Sequence, residues 1–518
     1  MTKDPPKSSL IHSTFSGLSS QYTGALITGL GQLALTAVLA RLLSPRDYGL
    51  VGLATVYTGL VALLSQFGLG VAIVRRPDLT PRYVRAGFTV AVLLGIFGAA
   101  LVWVTAPLAA AALRNAELTP YIRALSLTFV LANPSFVAEA LSQRNLAWRR
   151  LMWVDVAAFA VGYAVPALVL ALLGYRAWAL VGSHLGEKLV RSVLLLRAQP
   201  HPKAFRLGPE IRDLLRFGSG FTLARVFNYG AAQGDNLVVG RVLGVELLGF
   251  YSRAFKLMLI PVTYFAVIVT RVLFPVMARL QDRPDQLRSA YFTGSAVIGL
   301  VSGPLSVLMV VTAPEIVHVI LGPGWAPTVL PFQILTAGIM MRNTYQMAYC
   351  LDGALGMMRK RTIRDGVYAF AVVLGSLVGS HFGLPAVAAG VLLAIVGNYV
   401  LGAAMSLSMV HGSWSDYIRS QAPGFFLGAV ALAVAIPMRF AIRSLGPGAL
   451  VVLLLTNLLS AFFLAALVLR YPSIVGERGQ SALRLFVSSL TAKLSPRGMA
   501  RVHLLSRGLA RRWVDTQR

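Results

Sequence analysis

The sequence predicts an all-α, polytopic membrane protein with about fourteen transmembrane helices. Of the 518 residues, 56% are hydrophobic and 13% are charged, whereas soluble domains carry about 25% charged residues. The mean hydropathy is +0.70, and apolar runs of about eighteen or more residues, long enough to cross a hydrocarbon core, recur along the chain. These runs lack the alternating polarity of membrane β-barrel strands, so helices are expected.

Loop charge gives the direction of the predicted spans. The spans are placed at about 18–40, 48–72, 86–106, 121–142, 153–173, 177–196, 217–243, 248–275, 289–311, 329–350, 365–383, 385–409, 421–440 and 448–469. Loops after even-numbered spans are rich in arginine, as in VRRPDLTPRYVR and QRNLAWRR, whereas those after odd-numbered spans, such as FGLP, are nearly bare. The positive-inside rule therefore predicts that both termini are cytoplasmic.

A repeat predicts how the spans are grouped. Residues 38–54 and 238–254 match without a gap at the pairs Val38/Val238, Arg41/Arg241, Leu43/Leu243, Gly49/Gly249 and Ala54/Ala254. The copies begin six crossings apart and share one orientation, which predicts two pseudo-symmetric six-helix lobes. The predicted segments are 1–17, a cytoplasmic N-terminus; 18–196, the first lobe; 197–216, a cytoplasmic loop; 217–383 with 384–409, the second lobe; 410–469, two further helices; and 470–518, a basic cytoplasmic tail.

Composition also excludes several classes of function. The net charge of +28 lies mainly in short loops, where arginine and lysine set topology and contact anionic lipids at the cytoplasmic face. No nucleic-acid-binding motif accompanies this charge, so no nucleic-acid partner is expected. The chain has one cysteine, scattered histidines and no Walker motif, so no disulfide, metal cluster or ATPase site is expected. The short outer loops leave little room for an enzyme's acceptor and donor sites.

Five stretches carry a resemblance to a known family. They are ARLLSPRDYGLVGLATVY, SQFGLGVAIVRRPDLT, ALSQRNLAWRRL, GDNLVVGRVLGVELLGFYSRAFKL and APEIVHVILGPGWAPTVLPFQIL. Through these stretches, most of residues 15–365 resemble the Wzx-like polysaccharide transporters of the multidrug/oligosaccharidyl-lipid/polysaccharide (MOP) flippase superfamily. The resemblance implies a two-lobed, V-shaped helical fold like that of MATE transporters, in the bacterial inner membrane.

The resemblance also implies an activity. It is the movement of an undecaprenyl-diphosphate-linked oligosaccharide to the periplasmic leaflet by alternating access, for O-antigen, capsule or exopolysaccharide synthesis. No cofactor is expected, the energy source is left open between a proton gradient, a sodium gradient and the membrane potential, and polysaccharide polymerase or export machinery is a suggested partner. Two alternatives stay open: a lipid II flippase of peptidoglycan synthesis, and a drug or cation antiporter. The antiporter is disfavoured, because a cavity for cations should carry carboxylates.

Ionisable side chains inside the spans are the candidate site, because such groups are expensive in a membrane. Arg225 and Arg342 lie in the inner halves of their spans and are predicted to bind the substrate diphosphate, with snorkelling to headgroups as the alternative. Gln32 and Gln66 are polar candidates in the first lobe. No catalytic residue is predicted.

A second group of charges is predicted near the outer side of the membrane. Asp235 and Lys256 lie at equal depth in a hairpin, which predicts an ion pair that either gates the path or only stabilises the fold, with Arg253 one turn away. Nearer the inner side, Glu139 and Arg144 are expected to form a local surface pair. Arg439 falls on the outer side, against the charge rule.

Overall fold

A computed structural model describes residues 7–66, 69–76, 78–219 and 222–481. Within these ranges the regular structure is helical and no strand occurs. Ten of the helices described there are long and apolar enough to cross a membrane, which makes this a multi-pass membrane protein. The other four predicted spans, 48–72, 177–196, 217–243 and 329–350, coincide with helices that are outside this group of ten.

The helices follow one another with short connections. The first ten are α1 (Lys7–Leu42), α2 (Pro45–Gln66), α3 (Leu69–Arg75), α4 (Pro81–Ala112), α5 (Leu118–Ala132), α6 (Phe136–Arg144), α7 (Trp148–Ala157), α8 (Val165–Leu172), α9 (Ala177–Ala198) and α10 (Glu210–Ser219). The next ten are α11 (Thr222–Val238), α12 (Val245–Arg279), α13 (Pro284–Val311), α14 (Ala313–Ile320), α15 (Val329–Ala337), α16 (Ile339–Ala354), α17 (Met358–Ser380), α18 (Leu384–Met409), α19 (Trp414–Ser444) and α20 (Ala449–Arg470). Two π-helical segments, Ala158–Ala164 and Val239–Leu243, continue α7 and α11.

The chain divides into two compact units. Unit 1 comprises Met1–Arg253, Ile320–Trp325 and Val372–Leu384, and unit 2 comprises Ala254–Val319, Ala326–Ala371 and Pro385–Arg518. The division of the chain into two six-helix lobes stays a prediction. The predicted cytoplasmic tail is described only to residue 481, and its remainder, 482–518, lies outside the described residues.

In unit 1, small residues and a partly buried ion pair hold the helices together. Gly162 on the π-helical segment and Gly186 on α9 face each other so closely that a methyl group on either would overlap the other's backbone. Glu139 on α6 binds Arg191 through two hydrogen bonds of 2.9 and 3.1 Å. The partner seen for Glu139 therefore comes from α9, whereas Arg144 donates hydrogen bonds to backbone carbonyls that include that of Ile73.

In unit 2, α13 and α19 pack through glycines spaced four residues apart. A side chain at Gly303 would meet the carbonyl of Gly424, and one at Gly424 would meet that of Gly299. Small residues at this spacing let two membrane helices approach at backbone distance. On α14, Glu315 receives two 3.0 Å hydrogen bonds from Nε of Arg439 on α19. Arg439, which runs against the charge rule, is thus neutralised by a carboxylate.

The predicted loop 197–216 contains more structure than a loop. Helix α10 starts within the second half of this segment. Leu214 of α10 is buried against Leu69 of α3 and Ala86 of α4. Before it, the ring of His201 packs edge-on against Phe88 at 5.5 Å. Burial lowers the pKa of His201, and the charge of Lys203 lowers it further, so the imidazole is neutral at neutral pH where it contacts this aromatic ring.

Candidate functional site

The two copies of the repeated corner meet each other in unit 1. The first copy joins α1 to α2, and the second joins the π-helical segment after α11 to α12. A methyl group at Gly49 would overlap the Val245 carbonyl, and one at Gly249 would overlap the Pro45 carbonyl. Pro45 and Val245 occupy matching positions of the repeat, as do the two glycines. The contact is therefore reciprocal, and each glycine admits the backbone of the other copy.

Trp325 packs against both copies of this corner. Its ring is 2% exposed and packs edge-on against Tyr48 at 5.5 Å and Phe250 at 5.8 Å, one aromatic residue from each copy. The indole Nε1 donates a 2.9 Å hydrogen bond to the carbonyl of Ala40, which satisfies the one polar atom of the ring. The GPGW stretch that carries this residue is thus a clasp across both copies of the repeat.

Asp235 is almost completely buried in α11. Its carboxylate accepts a 2.8 Å hydrogen bond from the Tyr251 hydroxyl and a 2.7 Å bond from the backbone N–H of Asn236. The side chain of Lys256 is exposed, and the predicted ion pair between Asp235 and Lys256 stays a prediction. The tyrosine was missed, although it sits sixteen residues after Asp235, on the facing arm of the same predicted hairpin.

Arg253 lies beside the corner. Its guanidinium carbon is 4.3 Å from the centre of the Tyr48 ring, a distance that allows a cation–π interaction. Its Nε is buried and has no hydrogen-bond partner among the described residues. Arg253 was predicted one turn from an ion pair, and its observed neighbour is the aromatic ring of Tyr48, with one buried N–H group that has no partner among the described residues.

Arg342 projects from α16 in unit 2. Its guanidinium carbon lies 5.5 Å from the centre of the Phe255 ring. One terminal nitrogen is buried and has no hydrogen-bond partner within the described part of the chain. A half-buried guanidinium with one buried, unused donor is suited to an anionic oxygen, because an unmet donor there is costly. This observation is the strongest sign of a ligand among the predicted residues.

The other predicted residues are less informative. Arg225 on α11 is half-buried, and among the described residues it makes no ion pair. Gln32 on α1 is exposed, and the side chain of Gln66 lies outside the described residues.

A fully buried ion pair in unit 2 was missed by sequence analysis. Nη2 of Arg364 on α17 lies 2.7 Å from Oδ2 of Asp352 on α16, and both side chains are 0% exposed. The Tyr345 ring covers the guanidinium at 4.8 Å, and the Tyr345 hydroxyl donates a 3.2 Å hydrogen bond to Asp365, which is 3.7 Å from Arg361. Residues 351–364, which include the basic stretch MMRKRTIR, fall between the predicted spans 329–350 and 365–383, so the span prediction gave no sign of this buried cluster.

The partners of Asp235 can be separated by substitution. We expect Tyr251→Phe to destabilise the protein by about 1.5–3 kcal/mol, because a hydrogen bond to a charged group is lost. If Lys256 neutralises the Asp235 carboxylate, Asp235→Ala alone leaves a lysine unpaired, which is the costly state. The double variant Asp235→Ala with Lys256→Ala should then recover part of the stability that the single variant loses. The measurement is thermal unfolding of the purified variants. An equal or larger loss in the double variant contradicts the pairing.

A family model described as "Polysaccharide biosynthesis protein" matches residues 38–330, which span both copies of the corner and the clasp. The chain belongs to this family. The lipopolysaccharide biosynthesis protein WzxC of Escherichia coli is 27% identical over 82% of this chain and 88% of its own length. The succinoglycan biosynthesis transport protein ExoT of Rhizobium meliloti is 25% identical over 79% and 82% of the two chains.

Solved structures show the fold of this polysaccharide biosynthesis protein. The lipid II flippase MurJ, in an inward closed conformation, aligns with a TM-score of 0.67 and 12% identity, covering 88% of this chain and 99% of that one. An inward-facing MATE transporter of the MOP superfamily aligns with a TM-score of 0.59 and 19% identity, covering 74% and 95%. The predicted MOP-type helical fold is confirmed, whereas substrate and mechanism are matters for proposal.

Proposed function

We propose that this protein flips a polyprenyl-diphosphate-linked oligosaccharide from the cytoplasmic to the periplasmic leaflet of a bacterial inner membrane. It does so with fourteen spans, arranged as two six-helix lobes and two further helices. The carrying observation is Arg342, a half-buried arginine on α16 with one buried terminal nitrogen that has no hydrogen-bond partner among the described residues. Relatives named for lipopolysaccharide and succinoglycan biosynthesis support a glycan as cargo.

The charge of the substrate suits the residues inside the membrane. A diphosphate linker needs donors that meet several oxygens, and the planar fork of arginine binds two at once. Arg342 and Arg225 are the proposed anchors for this linker. The aromatic ring of Phe255 beside Arg342 excludes water and holds the guanidinium in place. These cations also disfavour the cationic cargo of a drug antiporter.

The membrane potential supplies a driving force for export. Moving one charge through 100 mV is worth about 2.3 kcal/mol, so two negative charges gain about 4–5 kcal/mol when they cross outward. This gain requires that the arginines stay with the protein while access to them switches sides. The reciprocal glycine contact is the proposed closed state of the corner, and Gly49 and Gly249 must separate when it opens.

The proposal predicts distinct phenotypes for the two kinds of substitution at position 342. Arg342→Ala should abolish surface polysaccharide in a flippase-null strain, and Arg342→Lys should retain part of it, because lysine keeps the charge but loses the fork. Arg359→Ala is the matched control, since it removes an exposed arginine from the start of α17. The measurement is surface polysaccharide together with the amount of each variant in the membrane.

Two outcomes would count against this assignment. Full surface polysaccharide from Arg342→Ala and from Arg225→Ala would make both arginines structural. Rescue of a strain depleted of its lipid II flippase, without rescue of the polysaccharide mutant, would favour the peptidoglycan precursor as cargo.

A further inference from the structure

A cavity of about 610 Å³ opens in unit 1 between the N-terminus of α4 and the start of α10. It lies away from the corner and on the side that the charge rule predicts to be cytoplasmic. Its walls carry opposite charges. The lining residues are Thr80, Pro81, Arg82, Tyr83, Arg85, Pro209, Glu210 and Asp213.

The wall formed by α4 is positive. Arg82 and Arg85 are exposed, and neither side chain makes an ion pair or hydrogen bond with the residues that the structure describes. The helix begins at Pro81 without a side-chain cap from Thr80, so its first N–H groups have no partner inside the helix. Two guanidinium groups at the positive end of a long helix are suited to a phosphate group.

The wall formed by α10 is negative, and one of its atoms is unsatisfied. Glu210 is 8% exposed, and its Oε1 lies 3.5 Å from Nε of Arg206. Its Oε2 is buried without a hydrogen-bond donor among the described residues. Asp213 accepts a 3.0 Å hydrogen bond from the Tyr83 hydroxyl and lies 3.9 Å from Nη1 of Arg76, so Glu210 is the main acceptor left on this wall. A simple anion would be repelled by the Glu210 carboxylate and would leave its Oε2 without a hydrogen-bond donor. An ammonium group would instead donate a hydrogen bond to this oxygen.

The helix that carries this wall is amphipathic. Leu214 is buried against α3 and α4 and Ile211 packs beside it, while Arg212 and Asp213 are exposed. Such a helix is suited to the membrane–water interface, where phospholipid headgroups lie. The cavity thus offers a site for phosphate and a site for ammonium at the depth of the headgroups.

We propose that this cavity binds the headgroup of a phospholipid with a primary amine, such as phosphatidylethanolamine. Its phosphate lies against Arg82, Arg85 and the first turn of α4. Its ammonium group donates hydrogen bonds to Glu210 and lies near Asp213. The site is separate from the transport path, and it does not depend on which glycan the protein carries.

The test is binding of short-chain lipids to the purified full-length protein, measured as a shift in its thermal unfolding midpoint over a concentration series. Short-chain phosphatidylethanolamine should bind at least about tenfold more tightly than phosphatidylcholine, whose quaternary ammonium cannot donate a hydrogen bond, and than phosphatidylglycerol, which lacks the amine. Soluble phosphoethanolamine should compete weakly, because it lacks the acyl chains. Competition as strong as that of the lipid would overturn a lipid as the occupant.

Substitutions separate the two halves of the site. Glu210→Gln should remove the preference for the amine lipid, and Arg82→Ala with Arg85→Ala should weaken the binding of all phosphate-bearing lipids. Arg359→Ala is the surface control and should bind as the wild type does. Equal binding of the three lipids by the wild-type protein, or tighter binding of phosphatidylglycerol, would overturn the proposal. Because Arg82 and Arg85 are exposed, their variants test the site even where Glu210→Gln fails to fold.

Discussion

Arg364→Ala should destabilise the protein by about 3–5 kcal/mol, because it leaves the carboxylate of Asp352 buried without its counter-ion. Asp352→Ala should have a similar effect, since it leaves the guanidinium unpaired. The double variant Asp352→Leu with Arg364→Met should recover most of the loss, because apolar residues of similar size remove both charges. The measurements are thermal unfolding of the purified protein and its amount in the membrane.

Arg361 provides the matched control for this prediction. It lies on the same helix as Arg364, and its pair with Asp365 is partly exposed, at 19% for both side chains. Contact with solvent screens this pair in part, so Arg361→Ala should be milder than Arg364→Ala. Two outcomes would show that the buried pair carries no special weight: equal losses at Arg361 and Arg364, or a double variant as unstable as the single ones.

Gly249→Ala and Gly49→Ala should each abolish most transport while the protein still folds. The added methyl group overlaps a backbone carbonyl of the other copy, and a helical carbonyl cannot turn away as a flexible side chain can. Overpacking costs about 1–3 kcal/mol, which shifts the ratio of closed to open corner by roughly fivefold to a hundredfold. Gly52→Ala is the control, because its methyl group would meet only Leu248 Cδ2, at 4.0 Å.

Two measurements check this prediction. The first is surface polysaccharide, which reports transport. The second is the labelling of a cysteine introduced at Ala40, which is 5% exposed and therefore reports whether the corner is open. For this measurement the native Cys350 is replaced by serine. A membrane-impermeant maleimide should label the introduced cysteine faster in the Gly249→Ala background. Normal polysaccharide with unchanged labelling would show that the contact has no role in transport.

Hydrophobic length predicted where helices lie along the chain, because it acts locally, whereas the orientation given by loop charge stays a prediction. The predicted spans fall on helical segments, but 121–142, 153–173 and 329–350 each cover two helices, and α1, α17 and α19 begin seven or more residues before their predicted spans. The repeat also identified Gly49 and Gly249 as equivalent positions. It did not show that these residues touch, because the contact depends on tertiary packing between segments two hundred residues apart in the sequence.

Most ion-pair partners of the charged residues could not be predicted from the sequence. Glu139 was assigned to Arg144, its neighbour in sequence, whereas the structure pairs it with Arg191. Arg439 was interpreted as an exception to the charge rule, but Glu315 neutralises it from another helix. Ion pairs between helices are fixed by helix rotation, and hydrophobic patterns locate a span better than they define its rotation. The charge rule counts the lysines and arginines of the loops, so it does not detect ion pairs between helices.

The glycine contact between α13 and α19 has a practical consequence for spectroscopy. Leu427 of α19, Leu464 of α20 and Val475 share one apolar core, against which Leu300 of α13 packs. A spin label or fluorophore at Leu458, which is 64% exposed on α20, therefore sits on a scaffold joined to α13. Distances measured from that label would report displacements of α13 itself.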